Sequence, residues 1–136
     1  MSTEPDHTLL QAPLTRSVIA TFYHVHRSLG FGFREYIYAL ALERDLRAKG
    51  HQVDRELGAM VYYLGKPLAM QKLDMVVDAT LVVETKATEH LHSDATLQLF
   101  SYLNATNLEV GLVLHFGREP RFYRVICENR LKLHRP

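Results

Sequence analysis

Two carboxylates and an ammonium interrupt an apolar stretch near the middle of the chain: Asp74 in Leu73-Asp74-Met75-Val76-Val77, then Glu84 and Lys86 in Leu81-Val82-Val83-Glu84-Thr85-Lys86. Burying charge among such residues is costly unless the charge is paired or used. The intervening Asp78-Ala79-Thr80 suits a three-residue hairpin loop, and pairing Val77 with Leu81 across it fixes the register. Asp74 then falls opposite Glu84, Val76 opposite Val82 and Lys72 opposite Lys86, while Leu73, Met75 and Val77 share the other face with Leu81, Val83 and Thr85. A slip of one residue would mix charged and apolar faces, which favours this register.

Facing carboxylates repel by roughly 4 kcal/mol at a separation of ~4 Å and an effective dielectric near 20. A cation between them turns that penalty into attraction. Oxygen ligands without cysteine or regularly spaced histidine select a hard ion, Mg²⁺ or Mn²⁺, over zinc. Lys86 projects from the same face as Glu84 and can donate to a phosphate or to an attacking water. A solvated outer face of the hairpin, with Lys72 and Lys86 neutralising the acids, fits the same spacing.

The surrounding sequence must position these groups. Val18, Ile19, Phe22, Val25 and Leu29 have helical spacing after a candidate cap at Thr15, and Gly30-Phe31-Gly32 ends that helix. A second helix is predicted over Phe33–Lys49, stopped by Gly50. Gln52–Tyr63 and Lys66–Val77 read as strands joined at Leu64-Gly65, followed by the charged hairpin. Ser93 or Asp94 caps a helix running to about Ala105, and Val110–Phe116 and Arg121–Cys127 read as strands. The order α-α-β-β-β-α-β-β predicts an α/β (α+β) fold, a mixed sheet flanked by helices, because the helical crossover allows one parallel pairing.

Two further groups share faces in this scheme. Glu35 lies on the stripe Glu35, Tyr38, Ala39, Leu42, Leu46 at the start of the second helix, where it can approach the sheet edge or simply complement the helix dipole. Gln98 and Tyr102 are four apart on the late helix, so an amide and a phenol face the same way, either toward a site or on an ordinary amphipathic surface.

Composition sets the limits. With 136 residues, 47% of them hydrophobic, the chain reads as one compact domain, residues 14–128, preceded by a flexible segment 1–13 and followed by a basic tail 129–136. A net charge of +1 is too mild to advertise nucleic-acid binding, so any basic surface is local, with Arg118, Arg121, Arg124 and the tail as candidates. The single cysteine, Cys127, reads as a core thiol in a reducing cytoplasm. Glu4, Asp6 and two prolines near the start argue against a signal segment, and no run approaches a membrane span. His24 and His26 face apart on a helix, and His90 and His92 lack companion cysteines, so zinc is disfavoured. Gly30-Phe31-Gly32 is not a phosphate loop, and neither the serines nor Cys127 have a nucleophile context.

Taken in order, Gly32-Phe33-Arg34-Glu35-Tyr36-Ile37-Tyr38, Asp74, Glu84-Thr85-Lys86 and Gln98-Leu99-Phe100-Ser101-Tyr102 resemble the GxxExxY protein family of the PD-(D/E)XK nuclease superfamily, over about Leu14 to Val125. The resemblance implies a restriction-endonuclease-like fold and metal-dependent hydrolysis of nucleic-acid phosphodiesters, DNA before RNA. It implies Asp74 and Glu84 as ligands of Mg²⁺ or Mn²⁺ with a main-chain carbonyl near Thr85, and Glu35 completing or supporting that site. Lys86 would position water and stabilise phosphorane charge, and Gln98 and Tyr102 would support the site or contact the backbone of the substrate. Lys72, Thr85 and Ala95 depart from the residues commonest in the family at their positions. A domain this small has little surface for a duplex, so a homodimer or larger complex is expected, and a non-cleaving binding or assembly module on the same fold is the alternative.

Overall fold

The computed structural model describes residues 11–132; residues 1–10 of the expected flexible start and 133–136 of the basic tail lie outside them. Helices α1 (Ala12–Leu29) and α2 (Glu35–Ala48) come first. Strands β1 (Val53–Tyr63), β2 (Lys66–Val77) and β3 (Leu81–Lys86) follow, then helix α3 (Ala95–Asn104) and strands β4 (Val110–Phe116) and β5 (Pro120–Ile126). The five strands lie in sequence order in one sheet. Only the β3–β4 pair is parallel, the consequence of the α3 crossover, and the others are antiparallel. This is the predicted order, a mixed α+β sheet consistent with a restriction-endonuclease-like fold.

The helices cover opposite faces. Val18, Phe22 and Val25 of α1 and Tyr38, Leu42 and Leu46 of α2 pack on Met75, Val77, Leu81, Val83, Leu112, Leu114 and Phe116. The Phe116 ring stacks on Tyr38 at 4.4 Å and meets Phe22 edge-on at 4.8 Å. On the other face, Leu99 and Leu103 of α3 pack on Val76, Val82 and Val113. Gly111 permits that close approach: a Cβ there would lie 2.9 Å from both Leu99 methyl carbons.

Two element starts differ from the sequence reading. Helix α1 begins at Ala12, because Pro13 fits the first turn, where its missing N–H has no partner to lose. Thr15 therefore lies inside the helix and donates its hydroxyl to the Gln11 carbonyl. Helix α2 begins at Glu35, since Gly32 has φ +118° and Arg34 is extended, so Phe33 cannot be helical backbone.

The hairpin register is as expected at Met75–Val83, Val76–Val82 and Val77–Leu81. Its loop is secured from outside: Asp78 accepts the Gln52 N–H at 2.8 Å and pairs with His51 Nδ1 at 2.7 Å. The ladder stops there, however, and the expected Asp74–Glu84 and Lys72–Lys86 pairings are absent from it, although β3 stays paired with β4 as far as Lys86. On the far side of β2, Glu56 adopts φ +54° and makes no pair, although the register runs on unchanged from Arg55–Met75 to Leu57–Leu73 and shifts only between Val61 and Tyr62. The side-chain alternation breaks across this unpaired position. Leu73 packs in the α3-side core with Val76, not with Met75 and Val77 as the alternation predicted.

Beyond that point, β2 from Lys66 to Leu73 pairs with β1 alone and forms a two-stranded arm. Lys66, Pro67 and Lys72 blunt its free edge against further strand pairing. At the other end of the chain, Asn129–Leu131 forms a 3₁₀ turn, and Lys132 Nζ donates to the Thr106 and Leu108 carbonyls at 2.7 Å each. The first residues of the basic tail are thus part of the packed domain. Cys127 is buried, and burial pushes its thiol above the usual range.

Candidate functional site

The acids stand where the sheet opens. Asp74 lies one residue past the last β2–β3 ladder pair, so its main-chain groups lack strand partners there, and side chains take over. Its N–H donates to Glu84 Oε1 at 3.2 Å, and its carbonyl accepts Arg55 Nε at 3.2 Å. In return, Asp74 Oδ2 accepts the Thr85 N–H at 3.0 Å and the Thr85 hydroxyl at 2.6 Å. The two carboxylates stitch the diverging strands with the hydrogen bonds that a continuous ladder would have made. That is how the fold tolerates buried charge: each acid satisfies a main-chain donor.

Glu84 is 7% exposed. Burial drives its carboxyl up to about 7, the neighbouring Asp74 and Glu35 charges add to the rise, and the Asp74 N–H and Lys86 oppose it. Glu35, on the first turn of α2, is also raised, first by desolvation and then by Asp74, against Lys86 and Arg55. The Tyr102 phenol is raised by desolvation and by the charges of Glu84 and Asp74. Lys86 Nζ lies 3.5 Å from Gln98 Oε1. The six residues singled out in the sequence, from four separate elements, thus share one electrostatic neighbourhood.

A cleft of about 730 Å³ opens beside them. Glu35, Lys86 and Gln98 line it, together with Thr88, His90, Leu91 and His92 from the β3–α3 loop. Asp74, Glu84 and Tyr102 do not contribute to its lining.

Among the described residues, no three of His, Cys, Asp and Glu come together as a ready-made metal group. Two carboxylates remain, Asp74 and Glu84, the first held by the Thr85 N–H and hydroxyl and the second by the Asp74 N–H. That oxygen-only set fits Mg²⁺ or Mn²⁺, ions that retain several waters and need only one or two carboxylates. The raised Glu84 carboxyl points the same way, since a nearby cation would relieve its charge. Glu35 lies within the field of this pair but does not join the two acids in a three-acid group.

Two residues escaped the sequence reading. Arg55 of β1 bonds Glu43 of α2 through Nη1 at 3.3 Å and places Nη2 3.8 Å from Asp74 Oδ1, tying the acid to the helix that carries Glu35. His115, beside Lys86 in the β3–β4 register, is buried, and its Nε2 donates to the Thr88 carbonyl at 2.7 Å. It fixes the second residue of the β3–α3 loop in the cleft wall, with Nδ1 left buried and without a partner. Gly117 makes room for the ring, as a Cβ there would lie 2.8 Å from His115 Cε1. Of the expected basic surface, Arg118 pairs with Glu89 and Arg121 with Glu119, which leaves little bare positive charge at that turn.

A family model described as PD-(D/E)XK nuclease superfamily matches residues 12–125. No curated protein and no solved structure matches the chain.

Proposed function

Because the chain belongs to the PD-(D/E)XK nuclease superfamily, we propose that it is a metal-dependent nuclease that hydrolyses phosphodiester bonds of DNA, with Asp74, Glu84, Lys86 and Glu35 as its working groups. The observation that carries this reading is the opening of the β2–β3 ladder at Asp74 and Glu84, two carboxylates in the electrostatic neighbourhood of Lys86 and Glu35, which line the cleft. Asp74, Glu84 and the Thr85 carbonyl would hold Mg²⁺ or Mn²⁺. Bound there, the ion supplies Lewis-acid polarisation of the scissile phosphate and a more acidic water.

The chain's own residues do the rest. Lys86 donates to the attacking water or to the non-bridging phosphate oxygens, where charge develops as the phosphorane forms. Gln98, against the lysine ammonium, holds it in place. Glu35, its carboxyl raised, accepts a hydrogen bond from the water and orients it for in-line attack. Tyr102 contributes a neutral hydroxyl toward the substrate backbone. Arg55 holds Asp74 from behind through its carbonyl.

The reading also includes action in a cytoplasmic setting, as a homodimer or within a larger complex. The net charge of +1 supplies few phosphate contacts for a lone domain. That same mild charge favours the second reading, a binding or assembly module on this fold that does not cut. No helix among the described residues is long and apolar enough to cross a membrane.

A panel of single- and double-stranded DNA and RNA with Mg²⁺ or Mn²⁺ separates the two. Metal-dependent cleavage that disappears in both Asp74→Ala and Lys86→Ala, with circular dichroism unchanged, supports the nuclease. Cleavage retained in either pure variant contradicts the assignment, and metal binding without turnover favours the module.

A further inference from the structure

The segment around Glu35 displays aromatic surface that the fold does not use. Phe31, Phe33 and Tyr36 are 39%, 47% and 59% exposed, on both sides of the acid that lines the cleft. These rings stand on a braced backbone. The buried Tyr38 hydroxyl donates to the Gly30 carbonyl and accepts the Phe33 N–H at 3.2 Å, and the Phe33 ring meets the Tyr38 ring edge-on with centroids 6.1 Å apart.

The segment is also joined to the cleft wall. The Arg118 guanidinium lies 4.9 Å from the Phe31 ring centroid and pairs with Glu89 at 2.9 Å. Glu89 sits between Thr88 and His90, both of which line the cleft. Phe31 is therefore linked through one arginine to one wall, and Phe33 and Tyr36 flank Glu35.

Exposed planar rings beside cations favour nucleobases over an aliphatic partner surface. Arg34 is exposed next to Phe33 and Lys86 lines the cleft, while Arg118, over Phe31, is already paired with Glu89. A base offers a flat face only when it is unpaired, since a duplex keeps its faces in its own stack. Stacking also supplies affinity that a chain of net charge +1 does not draw from phosphates. We propose that Phe31, Phe33 and Tyr36 form a stacking platform at the lip of the cleft, and that the substrate is single-stranded nucleic acid, an assignment that rests on the nuclease reading of the cleft.

The test measures anisotropy of labelled single-stranded and hairpin-duplex oligonucleotides, DNA and RNA, with the full chain in EDTA, so that binding is read without turnover. 2-Aminopurine in the single strand reports stacking by loss of fluorescence. Single strands are expected to bind at least tenfold tighter than duplex. Phe33→Leu and Tyr36→Leu, which keep an apolar side chain but remove the ring, should each weaken binding about tenfold and restore the fluorescence, whereas Tyr36→Phe keeps both. Duplex binding as tight as single-strand binding, or leucine variants that bind like wild type, overturns the platform. Loss of self-association in the leucine variants with unchanged oligonucleotide binding also overturns it, in favour of a protein interface. The two readings fail separately. Ring-dependent single-strand binding without metal-dependent cutting keeps the platform and removes the nuclease, and Asp74-dependent cutting of duplex with neutral leucine variants does the reverse.

Discussion

Replacing Glu84 by Gln should stabilise the protein at neutral and alkaline pH. The amide keeps the oxygen that accepts the Asp74 N–H and removes a charge that burial disfavours. In the folded state the carboxyl titrates near 7 against an ordinary 4.5. For an acid raised in this way the native state holds its proton longer than the unfolded chain does. The stability is therefore complete below about 4.5, falls between 4.5 and 7, and stays low above that. The interval corresponds to roughly 3 kcal/mol. Thermal unfolding of wild type and Glu84→Gln, each at pH 4.5 and 8.5, measures it. The variant should melt roughly 10 °C higher at pH 8.5 and close to wild type at pH 4.5. Added Mg²⁺ should raise the wild-type midpoint at pH 8.5 and narrow the gap, because a ligand of the charged form stabilises the native state. A variant that melts below wild type at pH 8.5, or a gap equal at both pH values, would refute the reasoning that Glu84 is a strained acid awaiting a cation.

Other expectations follow from the packing. His115→Leu removes the bond to the Thr88 carbonyl, and hydrogen exchange over residues 88–94 should quicken while β4 stays protected. His115→Gln, whose amide can reach the same carbonyl, should exchange more slowly than the leucine variant. Gly111→Ala, whose Cβ would press on both Leu99 methyl carbons, should cost about 1–3 kcal/mol in denaturant unfolding. Unchanged stability there would mean that α3 can lift from the sheet without penalty.

The hairpin was readable because β-branched alternation and a short polar loop allow only one register that keeps the apolar side chains together. The same rule fails at Leu73, since it assumes an unbroken strand. The break falls opposite Glu56, whose positive φ has no turn signature in the sequence. Glu35, Gln98 and Tyr102 could be placed on faces by helical spacing, but their convergence depends on how α2 and α3 sit against opposite faces of the sheet. Arg55 was invisible for a related reason: a charged residue in Val53-Asp54-Arg55-Glu56 looks like any solvated strand position, and only the gap in the ladder gives it a carbonyl to hold. His115 sits in an otherwise apolar strand, where one polar side chain signals neither burial nor partner. Pro13 marks the first turn of α1, whereas Thr15 has the residue type of a cap but lies inside the helix.

The central claim is that the opening between β2 and β3 holds a divalent ion. Anomalous diffraction from crystals grown with Mn²⁺ tests it most directly. The account predicts a peak between the Asp74 and Glu84 carboxylates, within bonding distance of both and of the Thr85 carbonyl. A well-ordered site without that peak, with the two carboxylates still held by Thr85 and the Asp74 N–H, would contradict it.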